Sequence, residues 1–380
     1  MAKFIVVGVA AAAIIYFLRQ RRRRNVSITI REATKDDLEH MLVVANLKSG
    51  VGKDITGDGG DYVREAWEND WWSKWSPEMH QNEFAFSGEL AVGFARVECH
   101  ATQRSPSEPE SGWLCGLRVH AEFQGQKVMS RLQSHLIRRM PAQVRQHTYM
   151  GVGSTNTQMV SVADGGSTTP RCQYIGAFVM HTFSPPADFR PPPADDKMVA
   201  SLLGADAANA AWDFLTSLPL HSTDAATSRL LLPANFYAWR RLTRGALDDK
   251  LAAGRVYGVH ARNQSKRFAF SALFVHFDDD FVGWPIKSCC RFSLCYFQAG
   301  VAGSKLTEAL LAFGASQPTV NADTGEAIAT VAVVGPFDNN AQGATGDLAP
   351  GMADALAASH FQRPRPTHLR VYRVPPPPEV

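Results

Sequence analysis

The sequence has few cysteines, and they lack the spacing of a metal site. Only six occur in 380 residues, at positions 99, 115, 172, 289, 290 and 295, and none forms a Cys-x-x-Cys pair. This spacing excludes a zinc ribbon, and a chain of this length needs no disulfide framework to stabilise its core. We therefore interpret the cysteines as buried, reduced thiols and predict no metal cofactor.

The sequence also lacks compositional bias and any large excess of one charge. Hydrophobic residues make up 45% and charged residues 20%, which excludes collagen-like, coiled-coil and mostly disordered proteins. The formal net charge is +3, and six positive side chains lie within the first 24 residues. The rest of the chain is therefore mildly acidic, which argues against binding to duplex nucleic acid.

The hydrophobic run at the N-terminus is shorter than the about 20 residues of a full membrane span. Residues Phe4–Leu18 carry no charge, and five arginines follow, at positions 19 and 21–24. This order does not match a cleaved signal peptide, whose charges precede the apolar run. We predict that residues 1–24 form an uncleaved single-pass membrane anchor, inserted through residues 4–18, with the body facing the cytosol. The alternative is a targeting presequence or an interfacial helix.

Proline marks the predicted domain boundary. Residues 184–196 read SPPADFRPPPADD, a stiff segment that fits neither helix nor sheet. We expect it to link a domain over residues 27–183 to a second over residues 197–374, with a proline-rich tail at 375–380. The second domain is expected to open with an alanine-rich helix, Lys197–Leu218. The order of its elements loosely repeats that of the first domain.

The segment most informative about chemistry runs from Leu114 to Met129. Its sequence, LCGLRVHAEFQGQKVM, indicates a buried strand, a tight turn containing Gly125, and the start of an amphipathic helix. Such a turn directs backbone N–H groups and a helix N-terminus at one point. The segment therefore predicts an anion site of the kind that suits a pyrophosphate.

With this segment the chain resembles the GNAT superfamily of acetyl-CoA-dependent N-acyltransferases over about residues 27–185. The resemblance is carried by the opening IREATKDDL (Ile30–Leu38), by AVGF (Ala91–Phe94), and by GLRV (Gly116–Val119) before the turn. It is most like the histidine N-acetyltransferase-like branch, which carries a divergent second half. The resemblance implies an α+β fold with a mixed sheet, in two tandem GNAT-like domains that follow the membrane-anchor helix.

The phosphate turn departs from the family pattern, Arg/Gln-x-x-Gly-x-Gly/Ala. Gln124 matches the first position, Lys127 replaces the central glycine and Met129 replaces the last small residue. A lysine here either contacts the pyrophosphate as a cation or points away from it, and Met129 can obstruct close approach. By resemblance, the residues that would bind acetyl-CoA are Leu117, Arg118, Val119, Gln124, Gly125, Gln126, Lys127, Val128 and Met129.

The resemblance also implies a mechanism, in which a small amine attacks the thioester directly within a ternary complex. The fourth strand would splay from the fifth, and the backbone of Leu117 and Val119 would bind the cofactor. Glu98 is the first candidate for the base and His100 the second, with a solvated strand end and a surface loop residue as the alternatives. Tyr174 is the candidate to protonate the departing thiolate, or else a packed aromatic residue.

Other residues are weaker candidates for a functional role. Asn156 is a weaker candidate for cofactor contact, and Cys115 is interpreted as a core residue. His276 with the aspartates at 278–280 is interpreted as a polar turn rather than a metal cluster. The acceptor is expected to be an amino acid, histidine-like, or another small amine. The competing hypothesis is a non-catalytic, membrane-tethered binding protein on a decayed GNAT scaffold, and the turn at 124–129 discriminates the two.

Overall fold

The structure is a computed structural model, and it describes most of the chain from residue 27 onwards. The described residues are 27–46, 80–154, 156–165, 172–183, 198–218, 228–234, 238–262, 269–278, 281–283, 288–297, 303–317, 328–337, 361–362 and 368–377.

Strands predominate among these residues, and the helices that cover them are short. The strands are β1 (Thr29–Glu32), β2 (His80–Ser87), β3 (Leu90–His100), β4 (Ser111–Val119), β5 (Thr148–Gly153), β6 (Gln173–Phe183), β7 (Met198–Leu202), β8 (Leu231–Pro233), β9 (Trp239–Arg241), β10 (Val256–Ala261), β11 (Ala272–His276), β12 (Phe281–Gly283), β13 (Ser288–Phe297), β14 (Ile328–Phe337), β15 (Phe361–Gln362) and β16 (His368–Arg373). The helices are α1 (Leu38–Asn46), α2 (Val128–Arg139), α3 (Ala142–Gln146), α4 (Thr157–Ala163), α5 (Ala208–Ser217), α6 (Arg244–Ala252) and α7 (Gly303–Ser316).

The described residues fall into two compact units. The first holds the described residues up to Val97 together with Cys115–Met140, and it contains β1, β2, most of β3, the second half of β4, α1 and α2. Its strands follow one another in the order β1-β2-β3-β4, with β1 and β2 antiparallel. A core of apolar side chains from α1, β2 and β3 includes Met41, Phe84 and Phe94.

The second unit holds Glu98–Leu114 and the described residues from Pro141 to Pro376. Its strand order is β4-β5-β16-β6-β14-β13-β11-β10-β7. The β4–β5 and β13–β14 pairs are parallel, and the other pairs in this order are antiparallel. The predicted mixed sheet is therefore confirmed.

Two series of elements share one order of strands and helices. In the first, β1, α1, β2, β3, β4, α2 and β5 end in a parallel pair whose crossover is a helix. In the second, β7, α5, β10, β11, β13, α7 and β14 end in the same way, once the additional elements β8, β9, α6 and β12, and α3 in the first series, are set aside. This repetition is the structural counterpart of the loose repeat in the sequence.

The compact units do not follow the predicted boundary at the proline-rich segment. Residues 98–114 and 141–183, which the sequence assigns to the first domain, group with the C-terminal half. Strand β16 explains part of this grouping, since it lies between β5 and β6 and pairs antiparallel with both. The division into domains 27–183 and 197–374 stays a prediction about sequence order.

The predicted helix over Lys197–Leu218 is wrong in its first third. Residues Met198–Leu202 form β7, and the helix proper begins only at Ala208 after a 3-10 turn. Gly204 interrupts the alanine-rich pattern, and every residue of Met198–Leu202 pairs with a residue of β10. Tertiary pairing overrides local helix propensity here.

Two predicted segments lie outside the described residues. These are the N-terminal anchor and the proline-rich segment 184–196. Among the described residues, every helix is too short or too polar to cross a lipid bilayer.

Candidate functional site

The strand–turn–helix predicted from the sequence is present in the first unit. Strand β4 ends at Val119, a 3-10 turn covers Ala121–Phe123, and α2 begins at Val128. The helix carries an apolar stripe, with Val128, Leu132, Leu136 and Ile137 buried. The stripe fixes the helix against the sheet, and its N-terminus consequently has one defined position.

Gly93 sets how closely α2 approaches β3. A Cβ atom at this position would lie 2.8 Å from Val128 Cγ1 and 2.9 Å from Leu132 Cδ1. Both distances are shorter than van der Waals contact, so only glycine permits the present packing. The AVGF segment therefore matters physically because it seats the first turn of the helix.

Two left-handed residues shape the turn itself. Gly125 has φ 77° and Lys127 has φ 62°, and Lys127 is the one non-glycine residue with positive φ among the described residues. Lysine at the family's glycine position thus keeps the glycine-like backbone, at a cost of about 1–2 kcal/mol. Its side chain is exposed, whereas Met129 is half-buried. The departure from the family pattern changes the side chain at this position and leaves a left-handed turn.

Local hydrogen bonds brace the turn. The Glu122 N–H donates to His120 Nδ1 at 3.2 Å, and Gln126 Nε2 donates to the Glu122 carbonyl at 2.9 Å. The first backbone bond of α2 runs from the Arg131 N–H to the Lys127 carbonyl at 3.0 Å. The N–H groups of residues 128–130 are therefore not used by the helix, which is the arrangement that binds anions.

Strand β4 bends just before this turn. Gly116 has φ 63°, and a Cβ there would lie 3.1 Å from Phe94 Cε1. The β4–β5 pairs run from Gly112↔Thr148 to Leu114↔Met150, two residues before Gly116. After the bend, Leu117 and Val119 are half-buried and Arg118 is exposed.

A buried carboxylate secures the other end of α2. Glu83 on β2 is fully buried, and His135 Nδ1 lies 2.8 Å from both of its carboxylate oxygens. Arg139 donates to Glu83 Oε1 at 3.1 Å and to Glu32 Oε2 at 2.9 Å. This network ties the helix to β1 and β2, and the sequence analysis did not identify it, because no local pattern pairs residues 83 and 135.

In the second unit, β3 continues to His100, so the two predicted base candidates lie within a strand. Glu98 is 9% exposed and His100 is 7% exposed, which overturns the alternatives of a solvated strand end and a surface loop. Burial and the neighbouring charge of Glu98 raise the pKa of the Cys99 thiol to about 12. The low exposure of Glu98 leaves its carboxylate little contact with bulk water.

Asn156 caps a helix. Its Oδ1 accepts a hydrogen bond from the Met159 N–H at 3.1 Å at the start of α4. The predicted contact with cofactor therefore competes with a structural use of the same side chain.

The predicted proton donor, Tyr174, belongs to a cluster that the sequence did not reveal. Tyr174 on β6 pairs in register with Tyr372 on β16, and their rings meet edge to face at 5.6 Å. Arg370 lies on the same face of β16 as Tyr372. Its Nη1 lies 3.9 Å from Oδ2 of Asp164, at the end of α4. Burial raises the pKa of Tyr372 to about 12, while Arg370 lowers it and Asp164 raises it. We call these four residues the Asp164–Arg370 cluster.

Of the aspartates near His276, only Asp278 lies within the described residues, and it pairs with Lys250. His276 Nδ1 lies 2.5 Å from Ser293 Oγ, and Asp278 Oδ1 accepts a hydrogen bond from the buried Lys250. Burial lowers the pKa of Lys250 to about 8, and the charge and hydrogen bond of Asp278 oppose that shift. Among the described residues, no three histidine, cysteine, aspartate or glutamate side chains are grouped to hold a metal ion.

Residues 55–164, less than a third of the chain, match the model of the acetyltransferase (GNAT) family. No curated protein sequence matches the chain.

Several solved structures are similar to the chain at low identity. A GCN5-related glucosamine N-acetyltransferase region of a fungal multi-domain β-N-acetylglucosaminidase is 10% identical, with 91% of this chain and 38% of that chain covered and a TM-score of 0.50. A tandem GNAT protein from the clavulanic acid biosynthesis pathway is 14% identical, with 93% and 100% covered and a TM-score of 0.46. A GCN5-related N-acetyltransferase from Kribbella flavida is 14% identical, with 91% and 70% covered and a TM-score of 0.37.

The chain therefore has a GNAT fold with a mixed sheet, and it spans only 38% of the fungal protein. The family match lies on the segment that carries the turn, and it supports an enzyme of the acyltransferase class.

Proposed function

We propose that the chain is an acetyl-CoA-dependent N-acetyltransferase that acts on the amine of an amino acid or another small amine. The observation that carries the proposal is the left-handed turn at Gly125 and Lys127, after which the N–H groups of residues 128–130 are not used by α2. A pyrophosphate is the ligand that such a turn fits, because helix N-termini favour negative charge.

The cofactor would lie along β4 and the turn. The turn Gln124–Met129 would hold the pyrophosphate through the N–H groups that begin α2, since the N–H groups of Gln124 and Gln126 already donate to the Ala121 and Phe123 carbonyls. Lys127 would add a positive charge at the rim. Leu117 and Val119, half-buried beyond the Gly116 bend, would pair with the pantetheine and polarise the thioester carbonyl through backbone N–H groups. Arg118, exposed between them, would face the cofactor phosphates.

In the reaction the amine nitrogen attacks the thioester carbonyl carbon, the C–S bond breaks, and the thiolate takes up a proton. Glu98 remains our candidate to take the proton that the ammonium must lose, and Tyr174 the candidate to supply one to sulfur. An α-amino group has an ordinary pKa of about 7.7, so a modest base suffices. Holding both reactants in one complex supplies much of the remaining acceleration.

We also propose a histidine-like acceptor, two tandem GNAT-like domains, and attachment to a membrane by residues 1–24 with the catalytic body in the cytosol. The acceptor rests on the resemblance to the histidine N-acetyltransferase-like branch. The tandem arrangement is supported by the two series of elements that end in parallel pairs. Attachment rests on the arginine-flanked apolar run.

Titration calorimetry of the full chain in detergent with acetyl-CoA tests the proposal. We expect binding heat and a rise in the melting temperature, followed by release of free thiol when a panel of amino acids is added. Absence of both heat and thermal shift at high acetyl-CoA concentration would instead favour the non-catalytic binding protein.

A further inference from the structure

The Asp164–Arg370 cluster places opposite charges side by side on one face of the second unit's sheet. Arg370 and Tyr372 are two residues apart on β16 and so share a face, and Tyr174 is the direct cross-strand neighbour of Tyr372. Asp164 reaches the same place from the C-terminal end of α4. Three separate segments of the chain converge here, and none of them is adjacent to another in sequence.

The charged groups of Arg370 and Asp164 lie close together but do not hydrogen-bond to each other. The 3.9 Å between Arg370 Nη1 and Asp164 Oδ2 is too long for a hydrogen bond. The Arg370 side chain is 33% exposed and that of Asp164 is 47% exposed, so a ligand can reach both. An exposed pair at this separation contributes little to stability.

Beneath the charges lie the two aromatic rings. Tyr372 is fully buried and Tyr174 is half-buried, and Tyr372 also interacts with both Arg370 and Asp164. The cluster therefore has an aromatic wall with a polar edge beside its two charged groups. The arrangement of a guanidinium, a carboxylate and an aromatic wall complements a molecule with a carboxylate and an ammonium on neighbouring atoms. Arginine suits the carboxylate because its planar fork makes two parallel hydrogen bonds.

We propose that this cluster binds the acceptor as a zwitterionic α-amino acid, with Arg370 on its carboxylate and Asp164 on its ammonium group. This inference rests on the proposed function, in which an amine is acetylated, and it narrows the acceptor to molecules with a free α-carboxylate. The specificity residues then come from the last strand, far in sequence from the cofactor turn.

Calorimetry without acetyl-CoA tests the cluster independently of catalysis. Histidine, histidinamide and histamine are titrated into the full chain, and we expect histidine to bind about 10- to 100-fold more tightly than the two analogues that lack the carboxylate. Equal binding of the three, or no binding of histidine, would overturn the proposal.

Two variants assign the discrimination to named residues. Arg370→Gln is expected to remove the preference for histidine while leaving histidinamide binding unchanged, and Asp164→Asn to weaken both ligands. Arg104→Gln is the matched control, since Arg104 is a 78% exposed arginine that lies 3.6 Å from Asp248. Retention of the preference in Arg370→Gln, with an unchanged melting temperature, would refute the assignment.

Acetyl-CoA titration of the same samples separates the two proposals. If the chain binds acetyl-CoA but does not prefer histidine over the two analogues, the amino-acid site is contradicted and the transferase proposal stands. If the chain binds histidine but not acetyl-CoA, the transferase proposal is contradicted and the amino-acid site is still supported.

Discussion

Lys127 shows how one residue can depart from a family pattern and keep its geometry. A left-handed backbone is the reason that glycine is usual at this place, and lysine adopts the same φ of 62°. The sequence predicts the turn because Gln124 and Gly125 stand where they are expected. The sequence does not predict where the lysine side chain points, because its direction depends on the backbone conformation.

Charge reversal at this residue tests its part in cofactor binding. We expect Lys127→Glu to weaken acetyl-CoA affinity about tenfold, or ~1.4 kcal/mol, because a carboxylate would face the pyrophosphate. Arg138→Glu, an equal charge change at the far end of α2, serves as the control. Unchanged affinity in calorimetry would show that Lys127 points away from the ligand.

Asp37 provides a pH test of the first unit. Its hydrogen bonds to Arg31, at 2.6 and 2.8 Å, and those from Thr34 lower its pKa from 3.8 to about 2, although burial opposes the shift. A depressed folded-state pKa means that the stabilisation is present above the unfolded pKa and is lost as pH falls through the folded one.

Asp37→Asn should therefore lower the free energy of unfolding by about 1 kcal/mol at pH 7, a value discounted because Arg31 is half exposed. Urea unfolding at several pH values measures the difference, which should shrink between about pH 4 and pH 2. A difference that stays constant over that range would contradict the role of the ionised carboxylate.

At the scale of elements, the position of α2 depends on the smallest side chain beneath it. Gly93→Ala would bring a Cβ within 3 Å of Val128 and Leu132, so the helix must shift away from β3. We expect a loss of about 1–3 kcal/mol in stability and weaker acetyl-CoA binding.

The double variant Gly93→Ala with Val128→Ala removes one of the two clashing side chains and should recover part of the binding. Urea unfolding and calorimetry measure the two effects separately. Binding that is unaffected in Gly93→Ala would show that the turn tolerates movement of the helix.

Elements with local signals were predictable, and those fixed by distant partners were not. The spacing of Thr34 and Asp37 predicts the start of a helix, and the structure contains the hydrogen bonds between them. The alanine-rich surroundings of Met198–Leu202 predict a helix, and the segment is extended because it pairs with β10.

At the scale of the whole molecule, the main feature that the sequence could not reveal is the place of β16. The segment His368–Arg373 reads clearly as a strand, but nothing in it names β5 and β6 as partners. The interaction between Glu83 and His135 could not be predicted from the sequence for the same reason.

Removal of β16 is therefore expected to disrupt the second unit. A chain stopped after Thr367 loses the strand between β5 and β6, and we expect insoluble protein or loss of cooperative unfolding. A chain stopped after Pro376 keeps the Val374 N–H bond to the Thr148 carbonyl and should unfold like the full chain. Similar thermal unfolding of the two truncated chains would contradict this dependence.

The central position of β16 also has a consequence for biosynthesis. While the ribosome is still translating residues 184–367, β5 and β6 have been made but their shared neighbour has not. Their edges stay open through the synthesis of about half the polypeptide, a period in which exposed strands attract non-native partners or chaperones. Native pairing of β5 and β6 with β16 must wait until residues 368–373 have been made, and strand pairing over such a long separation in sequence slows folding.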